Sequence, residues 1–278
     1  MAKRNFLSMT AQKFAAKKLA LRRSILRRLA ARRMAKRAAG LGLALFMLCG
    51  CSIGQLTTLY NDDTSFVENG IRYDAAHQPI TGVYHKYADN MQLREEIHYV
   101  NGLADGLYRV YDDEGNVALE AYYDKGLTDG KTTAFYADGE EKEILVYRKG
   151  KLEGRRLAYY PNGDLLSKGS YTQGKKNGVF EEYYPNGAVK SSITYQDGKQ
   201  HGPARLYTPD NHLTAYTEYA NGLREGAACS YYENERPKVL AMRKNDKLDG
   251  AAKHFSEKGE LTEVIIYRNG EEINRVKF

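Results

Sequence analysis

The chain has 278 residues, with 42 Lys and Arg against 35 Asp and Glu, 26 Gly, 23 Tyr, no Trp and 3 Cys. Its formal charge of +7 averages two unlike parts: residues 1–50 carry 13 of the basic residues and no acid, which leaves residues 51–278 with 29 basic against 35 acidic, a net of −6. That acidic body argues against binding nucleic acid, which needs clustered positive charge to neutralise phosphates, and a Tyr-rich, Gly-punctuated composition points to short strands and tight turns instead of long helices.

In chain order, residues 1–33 are basic and Ala-rich, most densely at "LRRSILRRLAARR" (21–33). Two readings stay open for them. One is an amphipathic arm for a membrane or nucleic acid. The other is that translation starts at Met34, because "MAKR" recurs at 34–37 and leaves a leader of 17 residues, 34–50. The apolar run "AAGLGLALFMLCG" (38–50) has the length of a signal-peptide core and is too short to span a bilayer comfortably. It ends in "LCGC", Leu48 to Cys51, which resembles the lipobox of bacterial lipoproteins, Leu-x-Gly/Ala-Cys. The resemblance implies cleavage before Cys51 and acylation (palmitate-type chains) on its sulfur. Two chains anchor a protein where one is marginal. Ser52, where Asp would signal retention, implies the outer membrane under the sorting pattern of such lipoproteins. The alternative is an uncleaved apolar anchor with an incidental cysteine. Cys49 leaves with the leader and Cys229 has no partner, so no disulfide framework is expected.

The expected division is therefore a leader over 1–50, then the lipid-attachment Cys51 with a linker and lead-in over 51–81, and a repeat region over 82–278. The repeats rest on glycine at 82, 106, 130, 154, 178, 202, 226 and 250, every step being 24 residues. With each of these glycines as position 1 of a unit, position 6 is aromatic in all eight, from Tyr87 to Phe255. Position 18 is Tyr in seven units and Arg243 in unit seven; position 21 is Gly in seven and Asp246 in unit seven. No insertion breaks the period, so this is a tandem array. Positions 1–7 read as one strand, 8–10 as a turn ("PNG" at 161–163 and 185–187), 11–18 as a second strand and 19–24 as a loop. Positions 12, 16 and 18 are expected to share one face by the two-residue period. A lone hairpin is marginal in water, so each must stack on its neighbours. The fold class expected is all-β: an elongated, single-layer, twisted antiparallel sheet of 24-residue hairpins.

The pattern Gly-x4-aromatic, Asn/Asp-Gly, Tyr-x2-Gly-x3-Gly resembles the MORN-repeat variant family of bacterial proteins, often labelled YwqK-type antitoxins, over residues 82–274; "NGIRYDAAHQPITG" (69–82) is similar to their lead-in segment. The fold follows from the resemblance. Function does not, because repeat scaffolds serve many partners.

Candidate sites reduce quickly. "GLTDGKTT" (126–133) hints at a phosphate loop, but three residues separate Gly126 from Gly130 where a P-loop needs four, and a strand follows in place of a helix. The six His show no metal-ligand spacing, no Gly-x-Ser-x-Gly elbow occurs, and Cys229 lacks a nearby His. No catalytic residue, cofactor, metal or small-molecule substrate is expected. The position-6 and position-18 aromatics read as stacking core, because every unit must stack, whereas a site need use only a few. Position 7 varies: it is Tyr136, Tyr160, Tyr184 and Tyr232 in four units and small or polar in the others. Those four tyrosines are the expected partner-binding stripe. Unit seven departs most, with Glu235, Pro237, Arg243 and Asp246 against the pattern, either through drift or as a purposeful bend. The expectation for function is a non-enzymatic, lipid-anchored envelope protein whose array binds a protein or envelope component. The alternative is an antitoxin or immunity-type protein that neutralises a toxin.

Overall fold

Each 24-residue unit folds as a hairpin because two strand-favouring runs flank residues that accept a tight turn. The computed structural model describes residues 59–61 and 64–278. The leader and Cys51 lie outside them. Residues Thr57–Phe278 form one compact unit, and every regular element described in it is a strand. The paired strands run from Gly82–Tyr87 with Leu93–Val100 through to Gly250–Phe255 with Leu261–Arg268. The second strand of each unit also pairs antiparallel with the first of the next, as Leu93–Val100 does with Leu103–Tyr111. The result is a single twisted sheet of 22 strands, ending at Glu271–Lys277.

Register decides which side chains share a face. Tyr84 lies opposite Ile97, Lys86 opposite Glu95, and then the register shifts so that Tyr87 lies opposite Leu93. The same shift follows position 5 in all eight units. Directly opposed residues project to the same side. Positions 1, 3, 5, 14, 16 and 18 therefore share one face, and positions 2, 4, 6, 12, 15 and 17 the other. The expectation that 12, 16 and 18 align is overturned. A bulge at position 13 inserts one residue, which turns position 12 to the opposite side.

The same bulge relocates the core. Seven of the eight buried apolar residues within the units, Tyr84, Ile97, Ala121, Ala158, Ala241, Ala252 and Ile265, occupy positions 3, 5 or 16; Val83, at position 2 beside the lead-in, is the exception. The position-6 aromatics lie across the sheet and none is buried; Tyr87 is 43% exposed. They are not the stacking core. That role belongs to positions 3 and 16. Phe180 at position 3 fits because position 16 of the preceding unit is Gly169, whose backbone lies against its ring. The Phe180 ring meets Tyr171 and Tyr195 edge-on at 5.5 and 5.1 Å. Position 18 is thus a core column, as expected: Tyr99 and Tyr123 cover Tyr84 and Tyr108 in the same way.

The lead-in forms a separate two-stranded sheet, Ser65–Glu68 with Ile71–Asp74. Its next turn copies the hairpin tips of the array. Asp74 accepts the amides of Ala76 and Gln78 as Asp112 accepts those of Glu114 and Asn116. Leu59–Tyr60 pairs parallel to Val83–Tyr84.

Candidate binding edges and surfaces

The hairpin tips form one edge of the sheet and the connecting turns the other. Their side chains repeat as columns, so each candidate can be judged against its column.

On the tip edge, all four position-7 tyrosines make one and the same bond. Tyr136 donates its hydroxyl to the Tyr159 carbonyl at 2.8 Å, Tyr160 to Tyr183 at 2.8 Å, Tyr184 to Tyr207 at 2.9 Å and Tyr232 to Phe255 at 2.9 Å. Each hydroxyl latches its own tip to the end of the next unit's first strand. Such a bond contributes about 1 kcal/mol net. The rings stay half-buried, with Lys142 and Lys238 above those of Tyr136 and Tyr232 at 5.5 and 5.4 Å. Asn186 and Asn234 add a second lacing by donating their side-chain amides to the Pro209 and Glu257 carbonyls of the following tips. Between two tips, Asp164, Leu165, Tyr183, Pro185, Asn186 and Gly187 line an open cleft of about 370 Å³.

On the turn edge, positions 20 and 21 both have positive φ, as at Asn101 (50°) and Gly102 (76°), which gives the two-residue turn that matches strand twist. The position-21 amide donates to the position-23 carbonyl of the preceding unit, from Gly126 to Ala104 (2.7 Å) through to Gly270 to Leu248 (2.8 Å). Position 24 adds a side-chain acceptor. Asp129, Glu153, Glu225 and Asp249 accept the amides of Lys149, Gln173, Asn245 and Asn269 in the next unit. That acidic column recurs in the sequence and could have been read there as architecture.

Unit seven keeps the geometry by local replacement. Glu235 takes the tip conformation at φ 61°. Asp246 holds the turn at φ 69°, and its amide makes the usual bond to the Arg224 carbonyl. Its carboxylate accepts from the Arg224 amide and Nε, both at 3.0 Å, and Arg243 donates to the Asp246 carbonyl at 2.8 Å. Arg224 backbone and side-chain donors hold the Asp246 carboxyl below its ordinary value. The Arg243 and Asp246 departures are bonded to each other.

The polar groups of the two faces are used similarly. His85, Glu96, Arg109 and Glu120 form a chain of contacts at 3.1, 3.5 and 2.7 Å. Burial, reinforced by the Glu95 carboxylate 3.2 Å away, pushes the Tyr108 hydroxyl up to about 12. Burial also raises the Cys229 thiol. Among the described residues no group of three or more His, Cys, Asp or Glu is placed to hold a metal ion.

Each of these columns returns every 24 residues, which is the signature a repeat family would be recognised by. Three segments match the MORN repeat variant. They are residues 104–125, 152–173 and 176–197, all in the same phase, from position 23 of one unit to position 20 of the next. The MORN-variant segments thus run from just past one two-residue turn to the first residue of the next. A search of curated proteins finds no match. Among solved structures, the chain is similar to part of a GtfA/B complex bound to UDP and GlcNAc (14% identity, TM-score 0.19, 40% of this chain and 22% of that one). It is also similar to parts of TcdB2–TccC3–Cdc42 and of TcdB2–TccC3 (each 14% identity, TM-score 0.21, 75% of this chain, and 13% and 14% of those). The chain spans less than a quarter of the length of each of these structures.

Proposed function

We propose that the protein is a non-enzymatic, lipid-anchored component of the bacterial cell envelope whose MORN-variant array serves as a binding scaffold. The observation that carries this reading is the sequence Leu48–Cys51 behind an apolar core, followed by an array whose recurrent polar side chains are spent on joining one unit to the next. The latches explain the tyrosines without catalysis, and they leave ring faces, not hydroxyls, for a protein or envelope partner at Tyr136, Tyr160, Tyr184 and Tyr232. Ser52 after the lipid-bearing cysteine favours the outer membrane.

The anchor is the part most easily tested. Wild-type protein labelled with palmitate in growing cells should sediment with membranes, and Cys51→Ala should lose both label and membrane association. Retention of the variant on membranes would contradict the anchor. The second reading, an antitoxin or immunity-type protein, draws on the resemblance of the repeats to bacterial proteins so labelled. It predicts that co-expression rescues cells from a toxin encoded beside this protein, and it fails if no such rescue occurs.

A further inference from the structure

The pentad Tyr-Tyr-Pro-Asn-Gly occurs at 159–163 and again at 183–187, yet the two tips are not joined to their neighbours alike. In both, the Asn at position 9 accepts the position-11 amide on its Oδ1: Asn162 from Asp164 at 3.2 Å and Asn186 from Ala188 at 3.1 Å. Only the side-chain nitrogen differs. Asn186 donates forward to the Pro209 carbonyl at 2.8 Å, whereas Asn162 donates back to the Asp164 carboxylate at 2.7 Å.

The residue at position 11 decides which. Asn234 also reaches forward, to the Glu257 carbonyl, and its position 11 is Arg236, which has no acceptor. Asn90 turns back, to the side-chain oxygen of Gln92. An acceptor at position 11 captures the Asn, and Ala or Arg there releases it. Gln92 makes good the loss, because its own amide donates to the Asp113 carbonyl of the next tip at 2.5 Å. The carboxylate of Asp164 has no hydrogen to give. So of the four tips with Asn at position 9, only the one holding Asp164 sends no side-chain amide to the position-8 carbonyl of the next. The cleft lined by Asp164, Leu165, Tyr183 and Pro185 opens there, between the tips of units four and five.

The walls of the cleft say what it can hold. Among the described residues the Asp164 carboxylate is bonded by Asn162 alone. The facing position-8 carbonyl, that of Pro185, is a second acceptor, and no basic side chain lines the cleft. Leu165, the Tyr183 ring and the Pro185 ring supply apolar surface beside these acceptors. A negative charge and a carbonyl next to aromatic and aliphatic walls fit a cation carried on an aliphatic stem.

We propose that the cleft between the tips of units four and five takes an arginine or lysine side chain of a partner protein, its cation on Asp164 and the Pro185 carbonyl and its stem along Leu165 and Tyr183. The proposal rests on the reading of the array as a binding scaffold and does not need the lipid anchor. The test is saturation-transfer NMR on the full chain in detergent, with circular dichroism to check that each variant is folded. The probes are N-acetyl-arginine amide and its uncharged isostere N-acetyl-citrulline amide. The arginine probe should bind, and the citrulline probe several-fold more weakly. Asp164→Asn keeps an acceptor for Asn162 but not the charge, and should weaken arginine binding roughly three- to fivefold, the worth of an exposed ion pair. Asp164→Ala should abolish binding, because Asn162 is then released to lace the two tips together. The double variant Asp164→Ala/Ala188→Asp should restore it, because Asn186 is then drawn back from Pro209 and a cleft opens one tip further on. No binding by wild type, equal binding of both probes, indifference to Asp164→Asn, or a double variant as silent as Asp164→Ala would each overturn the proposal. Any of these would leave the membrane test of Cys51 untouched, so the two failures are told apart.

Discussion

Gly102→Ala is expected to destabilise the protein by about 3 kcal/mol or more, whereas Gly174→Ala should cost only about 1 kcal/mol. Both glycines occupy position 21 with nearly equal φ, 76° and 79°, so the strain of a left-handed L-residue is common to both. The surroundings differ. A methyl on Gly174 meets nothing within 4 Å, whereas one on Gly102 would collide with Ile71 Cγ2 and lie 2.8 Å from the Arg72 carbonyl oxygen. Gly102 is where the lead-in joins the array: its amide donates to Ile80 at 2.7 Å and its carbonyl accepts from Arg72 at 2.8 Å. Arg72 in turn lies 3.8 Å over the Tyr84 ring, beside Ile80, the most deeply buried residue described. Urea unfolding of the two variants measures the difference directly. Equal losses would mean that the lead-in does not dock as described.

The second large effect concerns Gly169. A Cβ there would collide with the Phe180 ring, coming within 2.7 Å of its Cγ, and the ring has little room to retreat between Tyr171 and Tyr195. Gly169→Val should cost about 3 kcal/mol, as overpacking does in a filled core. Phe180→Ala alone should cost a similar amount through the cavity it leaves. Combined, the two changes should cost clearly less than their sum, because the valine occupies space the ring has left. A double-mutant cycle in urea reads this coupling. Additive losses would show that the two positions do not share volume.

These two glycines also show what was legible in the sequence. The period, the hairpins, both turns and the position-18 column could be read from residue identity, because those positions repeat the same chemistry. The position-3 column could not, since it runs Tyr84, Tyr108, Thr132, Arg156, Phe180, Ala204, Ala228 and Ala252. Neither residue type nor side-chain volume repeats there, and only the close approach of Gly169 to Phe180 shows position 16 making room for position 3. The face of position 12 was misread for a related reason: a bulge leaves no residue signature at position 13, yet it reverses the pleat. The position-7 tyrosines stand apart in the sequence as a discontinuous stripe, but their bonds to carbonyls 23 residues away depend on backbone placement that a sequence does not display. In unit seven Arg243 and Asp246 looked like two losses, because the bonds joining them to each other and to Arg224 became visible only with the turn in place.

The central claim is that 24 residues are the physical unit of this fold, so that every column of latches, caps and core pairs renews itself at that spacing. Excision of residues 198–221 removes 24 positions and joins Asp197 to Gly222, which rebuilds a two-residue turn and keeps the Arg224–Asp246 contact. Excision of 198–220 removes 23 and reverses the faces of everything that follows. Thermal unfolding followed by circular dichroism should show the first variant folded and cooperative, somewhat less stable than wild type, and the second without a native transition. If both excisions were equally tolerated, or equally ruinous, the 24-residue unit would not be what holds the sheet together.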